Sequence, residues 1–183
     1  MKYILTDIDG VCLDWQTQFE KFLQFHYPDK DPKVDPTARH NNLEDEMNQF
    51  IGSAWQGWCQ PLRDAVEILT KLKQQGYQVH GCTAMGFDPY AIALRKINLE
   101  RHFPNVFDRL DTSESGAGCT KEDWLAQYRG HKCVWIEDKW GNAIAGATIG
   151  HKTFLMRHEY NASSDHPKVT KVDNWQQIYY YIN

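Results

Sequence analysis

Asp7 and Asp9 stand two residues apart at the end of the short apolar run Tyr3-Ile4-Leu5, and Gly10 follows at once. In an extended backbone, residues i and i+2 point to the same side, so these two carboxylates share one small region and repel each other. A divalent cation relieves such crowding, and hard Mg²⁺ favours carboxylate, carbonyl and water oxygens. Gly10 lets the backbone turn sharply there. Taken alone, Asp7-Ile8-Asp9-Gly10-Val11 is also what an Asp-rich turn after a strand looks like. Three more positions carry compatible chemistry. Thr83 follows Val79-His80-Gly81-Cys82, where its hydroxyl and the neighbouring amides, Ala84 included, could hold a phosphate. Lys121 opens a helix, where the macrodipole disfavours a cation unless an anion lies nearby. Glu137-Asp138 ends another apolar run, and Asn142 lies four residues beyond Asp138, one helical turn on. Each has a plain alternative: a turn or cap threonine, a solvated lysine, a helix-capping asparagine.

The elements around these residues alternate between strand and helix. Residues 2–7 read as an opening strand. Residues 15–27 read as a helix, with Trp15, Phe19, Phe22 and Phe25 near one face. A Pro- and Asp-rich break runs from Pro28 to Pro36. Residues 43–60 predict one further helix, and Pro61 suits the first turn of the next, which stops at Gly76. Strands follow at 78–82, near 107–110, at 132–137 and at 153–156. Helices lie between them, one opened by Asp88-Pro89 and one capped by Thr120. The pattern predicts an α/β fold, a parallel sheet flanked by helices, with core segments 1–14 and 61–183. Residues 15–60 break the alternation and are read as a small helical cap inserted after the first strand, since some 45 residues are few for an independent core. In such sheets ligands bind outside the carboxyl ends of the strands, so Asp7, Asp9, Thr83, Lys121 and Glu137-Asp138 are read as one site.

Composition narrows the class. Of 183 residues, 42% are hydrophobic and 24% charged, which excludes wholesale disorder. The net charge of −4 comes with no basic run, so neither long nucleic acid nor a membrane surface is an expected partner. No apolar stretch reaches membrane-span length, and Asp7 and Asp9 interrupt the N-terminal run before a signal peptide could form. The five cysteines, 12, 59, 82, 119 and 133, are odd in number and contain no Cys-x-x-Cys pair. They predict reduced thiols in a cytoplasmic protein rather than a disulfide framework or a zinc site.

The order Asp-x-Asp, Thr, Lys, Asp resembles the haloacid dehalogenase (HAD) superfamily of aspartate-nucleophile phosphatases. The likeness runs through Asp7-Ile8-Asp9-Gly10-Val11, the strand ending at Thr83, Lys121, and Glu137-Asp138-Lys139-Trp140-Gly141-Asn142 with Ala145-Gly146-Ala147-Thr148-Ile149-Gly150. It implies a three-layer Rossmann-like core, Asp7 as nucleophile and Asp9 as general acid/base. It further implies that Thr83, Ala84 and Lys121 bind the phosphoryl group and that Mg²⁺ is held by Asp7, Asp9 (through its backbone carbonyl) and Asp138. Glu137 is left open between ligand and neighbour. A narrower resemblance is to the 5′(3′)-deoxyribonucleotidases, through the position of the cap, the acid pair at 137–138, and the tail segments His158-Glu159-Tyr160-Asn161 and Asp173-Asn174-Trp175-Gln176-Gln177-Ile178. The chain departs from that family in Glu-Asp at 137–138 where Asp-Asp is expected, and in Ala84-Met85 where Ser-Pro is expected.

The expected activity is therefore hydrolysis of a small phosphomonoester, foremost a nucleoside monophosphate, through an aspartyl-phosphate. Trp15, Phe19, Phe22, Trp55 and Trp58 are candidates to line a pocket between cap and sheet, because a flat base stacks on aromatic rings. The same helical spacing also suits a core. Competing readings are a phosphatase of sugar phosphates or nucleic-acid ends, and a binding module on the same fold. A homodimer is left open. Lys132 rivals Lys121 but precedes its strand. His131, His151, His158 and His166 have no ligand-like spacing and are assigned no role; His158 is read as an ordinary surface histidine, the alternative being contact with the cap or substrate.

Overall fold

The computed structural model describes residues 2–31, 43–113 and 120–183. Six strands form one parallel sheet: β1 (Lys2–Thr6), β4 (Gln78–Thr83), β5 (Arg109–Thr112), β6 (Lys132–Glu137), β7 (Lys152–Met156) and β8 (Val169–Val172). Their order across the sheet is β5-β4-β1-β6-β7-β8. Counting only these six, that is the doubly wound order 3-2-1-4-5-6, with helices on both faces. The expected α/β class and parallel sheet are observed. Strands buried on both sides read as apolar runs. In β1, Ile4 faces one core with Val79, Val134 and Phe154, and Leu5 faces the other with Cys82, Trp124, Leu125 and Trp135. The connecting helices are α3 (Ala65–Gln74), α4 (Pro89–His102), α5 (Lys121–Ala126), α6 (Trp140–Ile149) and α7 (Trp175–Ile182).

Local chemistry sets several of these starts. Asp88 caps α4 by accepting from the amide of Tyr90 at 2.7 Å, with Pro89 at the first helical position. Thr120 and Asp123 form a capping box at α5. In α6, Gly146 is needed because a Cβ there would meet the Trp135 ring at 2.3 Å. The indole N–H of Trp175, in α7, donates to the Val11 carbonyl at 2.8 Å and ties the C-terminal helix to the loop after β1.

The chain between β1 and α3 differs from the sequence expectation in detail. It leaves through β2 (Leu13–Asp14), runs through α1 (Trp15–His26) and α2 (Glu44–Ile51), and returns through β3 (Gln60–Pro61). β2 and β3 pair antiparallel, Leu13 against Pro61 and Asp14 against Gln60. The single helix expected over 43–60 is two pieces, α2 and a 3-10 turn, Ala54–Trp58. The break falls at Gly52-Ser53, where the Ser53 hydroxyl donates to the Phe50 carbonyl at 2.8 Å. Pro61 belongs to β3 rather than to a helix. Its missing N–H is tolerated in a two-residue edge pairing, and α3 begins only after Asp64, whose φ is +66°. The sequence expectation also lacked β8. Its pattern Val-Thr-Lys-Val is a short edge strand with two half-buried polar residues. Much of the expected Pro-rich break, 32–36, lies outside the described residues.

Candidate active site

The sheet register brings the strand ends together. Thr6 lies opposite Gly81 of β4 and Ile136 of β6, so Asp7, Thr83 and Glu137-Asp138 emerge side by side. The Asp7 amide extends the ladder by donating to the Ile136 carbonyl at 2.9 Å. The Asp7 carboxylate accepts from the Ile8 amide at 2.7 Å and pairs with the ammonium of Lys121. Lys121 also reaches Glu137 Oε2 at 2.9 Å, and the other Glu137 oxygen accepts from the Lys139 amide at 3.0 Å. Lys121 thus bridges two carboxylates from two strand ends, and all three side chains are buried. Lys132 starts β6, at the other end of the strands from these carboxylates, where it lies opposite Lys2.

Asp138 completes the group. One of its oxygens accepts from the Tyr160 hydroxyl, and the other, Oδ1, is buried with no partner. Asp7, Glu137 and Asp138 can place one oxygen each within 4.8 Å of one another. Burial, and then the neighbouring Glu137, push the Asp7 carboxyl up to about 7. Burial raises Glu137 and Asp138 in the same direction. Burial also opposes the charge of Lys121, but Asp7 and Glu137 outweigh it and hold the lysine above its ordinary range. Three buried acids with one cation between them are short of positive charge. The orphaned Asp138 oxygen and the all-oxygen donor set suit a hard divalent cation.

Asp9 takes no part in that cluster. Its carboxylate accepts from Arg95 Nη2 at 2.6 Å and from the Thr83 hydroxyl at 3.0 Å. Arg95 projects from α4, is fully buried, and also donates to Asn98 Oδ1 at 3.2 Å. Its charge raises no conflict there, because Asp9 answers it directly.

A tight loop holds the two aspartates in place. The amide of Gly10 donates to the Leu13 carbonyl and that of Leu13 to the Ile8 carbonyl, both at 2.9 Å. Gly10 has φ of +77°, and a Cβ there would sit 2.5 Å from Asp138 Oδ2. His158 is half-buried, not a free surface residue. Its Nε2 lies 2.7 Å from the Gly10 carbonyl, and its ring stacks on Tyr160 with centroids 5.0 Å apart. Buried Asn161 donates to the carbonyls of Asp138 and Met156, at 2.7 and 2.8 Å. The other three histidines stay apart from this cluster: His151 is buried against the Leu125 carbonyl, His131 packs on Tyr3 and His166 on Trp140.

A cavity of about 340 Å³ opens above the strand ends. Asp7, Asp9, Thr83, Ala84 and Asp138 line it from the sheet, and Trp15, Gln16, Met47, Ile51 and Gln56 line it from segment 15–60. Of the expected aromatic lining, Trp15 is present. Phe19 is fully buried and stacks behind Trp15 at 4.9 Å, and Phe22 continues that core. Trp55 packs edge-on against Phe22, and Trp58 is exposed under the Arg101 guanidinium. These four rings fill or cover the helical layer instead of lining the cavity, because helical periodicity marks a buried face as readily as a binding one. Asn142 is half-buried in the first turn of α6, and its carbonyl accepts from Trp135.

Arg95, Tyr160 and Gln56 belong to the site without having been singled out from sequence. Arg95 lies mid-helix with nothing local to mark it. Tyr160 does sit in the tail segment His158-Glu159-Tyr160-Asn161, the one signal available.

No family model matches the chain. A protein of Enterobacteria phage T4, described as an uncharacterized 32.4 kDa protein in the Gp30-rIII intergenic region, is 31% identical over 120 residues. That match covers 58% of this chain and 43% of the phage protein, so it spans less than half of the relative's length. Among solved structures, the fold is similar to the D,D-heptose 1,7-bisphosphate phosphatase of B. bronchiseptica complexed with magnesium and phosphate. The TM-score is 0.67 at 15% identity, covering 100% of this chain and 98% of that one. The L-2-haloacid dehalogenase of Xanthobacter autotrophicus gives a TM-score of 0.71 at 10% identity, covering 100% and 98%. A HAD-superfamily hydrolase of Ehrlichia chaffeensis gives 0.59 at 15%, covering 100% and 97%. At these identities the likeness is one of fold: a six-stranded parallel sheet flanked by helices, similar to the Rossmann-like core of these proteins.

Proposed function

We propose that this protein is a Mg²⁺-dependent phosphatase of the HAD type that hydrolyses a small phosphomonoester, a nucleoside monophosphate, through an aspartyl-phosphate on Asp7. The observation that carries this reading is the juxtaposition of Asp7, paired with buried Lys121, and Asp138, whose Oδ1 is buried and unpaired, at the floor of a cavity that also exposes Asp9. The likeness of fold to phosphatases supports it.

In this reading Asp7 and Asp138, with the Asp9 carbonyl, would hold Mg²⁺, and Glu137 supports them from behind through Lys121. When bound, the ion lowers the charge barrier between the Asp7 carboxylate and a dianionic phosphate. Asp7 attacks phosphorus in line, forming one O–P bond as the ester O–P bond breaks. Asp9, which pairs with Arg95, takes up a proton as substrate binds, gives it to the departing alkoxide and then takes one from water, which attacks the acyl phosphate and frees Asp7. Lys121 has three donors and spends two on Asp7 and Glu137, leaving one for a phosphoryl oxygen. The Ala84 amide and the Thr83 turn supply further donors, although the Thr83 hydroxyl is committed to Asp9. Segment 15–60 acts as a cap, entering and leaving through the paired strands β2 and β3, and Trp15 stacks on the base.

The test is hydrolysis of p-nitrophenyl phosphate with and without Mg²⁺, followed by a panel of ribo- and deoxyribonucleoside monophosphates and sugar phosphates. Turnover should require the metal and fall by several orders of magnitude in Asp7→Asn. Near-normal turnover in that variant would defeat the mechanism, and preference for sugar phosphates would move the substrate class.

A further inference from the structure

Gln56, in the 3-10 turn Ala54–Trp58, is 1% exposed and lines the cavity. Its Nε2 faces the Met85 sulfur at 3.8 Å, a weak acceptor, and its Oε1 is buried with no partner. Buried amide groups are nearly always satisfied, and an orphan in a cavity wall is costly unless something in the cavity answers it. With Nε2 on the sulfur, the edge left open is the carbonyl oxygen, an uncharged acceptor. Its surroundings say what would answer it. The apolar lining comes from Trp15, Met47, Ile51, Leu62 and Met85. Away from the strand ends the charged lining is acidic, Asp14 and Glu20, and among the described lining residues Lys139 is the only lysine or arginine. Such a wall disfavours a second anionic group and accepts a neutral one with N–H or O–H donors.

Building on the phosphatase reading above, we propose that Gln56 is the specificity-determining residue of this site. It hydrogen-bonds a neutral donor-bearing group on the alcohol part of the substrate, and so selects such phosphomonoesters over those of apolar alcohols. A site built around a buried polar group rejects analogues that leave the group unpaired, whereas a purely apolar wall discriminates weakly.

The test compares kcat/KM for uridine 5′-monophosphate, ribose 5-phosphate and phenyl phosphate in the native full chain and in Gln56→Met, which keeps the length and removes the polar edge. The ratio of uridine 5′-monophosphate to phenyl phosphate should fall by about tenfold or more in Gln56→Met, through KM rather than kcat. Gln56→Asn, which keeps the amide but withdraws it, should lie between and serves if the Met variant fails to fold. A fall for uridine 5′-monophosphate alone assigns the contact to the base, and an equal fall for ribose 5-phosphate assigns it to a sugar hydroxyl. Ratios within twofold of native in both variants would overturn the proposal while leaving the phosphatase reading intact. A native protein inactive on phenyl phosphate and on both other substrates would overturn that reading first.

Discussion

Arg95 Nη2 lies 2.6 Å from Asp9 Oδ1, an ion pair made across 86 positions between the loop after β1 and the buried face of α4. The pair, with Thr83 on the other carboxylate oxygen, fixes where the Asp9 side chain points. Replacing Arg95 with Met should lower kcat by roughly a hundredfold, the scale of a 1 Å misplacement of a reacting group. It should also destabilise the fold by ~3–5 kcal/mol, as breaking a buried pair does. Arg95→Lys should restore part of kcat. Steady-state kinetics and urea unfolding of the two variants separate positioning from folding, because a merely structural role would leave the kcat of the surviving folded protein unchanged.

The metal-free protein should lose stability as pH rises. Asp7 has its folded-state value raised from 3.8 to about 7, so between those limits the folded state holds a proton that the unfolded chain has released. Its contribution is greatest below pH 4 and is lost as pH climbs to 7, by up to ~4 kcal/mol. Glu137 and Asp138 shift in the same direction, and Lys121 titrates outside this window. Mg²⁺ should recover the lost stability at neutral pH. Melting curves from pH 4 to 8, in EDTA and in excess Mg²⁺, would read this; parallel curves would contradict the cluster as a cation site.

Lys121→Met should be among the most damaging substitutions in the core. It leaves Asp7 and Glu137 facing each other without their shared cation, at a cost of ~3–5 kcal/mol. The loss should grow with pH, since ionising either acid costs more once the cation that favours its charged form is gone. Denaturant midpoints at pH 5 and pH 8 measure both the size and the direction.

Gly10→Ala should impair metal binding more than folding. The φ of +77° strains any Cβ by ~1 kcal/mol, but the added methyl also meets Asp138 Oδ2 at 2.5 Å and must displace it. A Mg²⁺ dependence of turnover shifted to higher concentration, with a melting temperature lowered by only a few degrees, is the expected result. An unshifted Mg²⁺ dependence would detach Asp138 from the cation.

The parts legible in sequence were those with local signatures. The apolar runs at 2–7, 78–82 and 132–137 read as buried parallel strands, and the rule that ligands gather at strand carboxyl ends then grouped the acids, Thr83 and Lys121; Asp7, Asp9, Thr83 and Asp138 line one cavity, and Lys121 pairs with Asp7 beneath it. What could not be read depends on distance. Arg95 and Asn98 look like ordinary polar residues of α4 until the fold buries them against Asp9 and the Cys59 carbonyl. Gln56 is one amide in an aromatic segment, marked only by what it fails to bond. The aromatic residues misled for a physical reason: Phe19 and Phe22 share the helical spacing of Trp15, and that spacing records that a face is covered without recording by what, while Trp55 and Trp58 lie in a separate 3-10 turn.

The hydrogen bond from Trp175 to Val11 spans 164 positions and anchors the very loop that carries the paired aspartates. The acids on this loop precede α7 by about 160 positions, so the loop lacks this tether until α7 has docked. The geometry of the acid cluster is thus coupled to the docking of α7, and a chain cut before that helix would carry all the acids and still lack a settled arrangement for them.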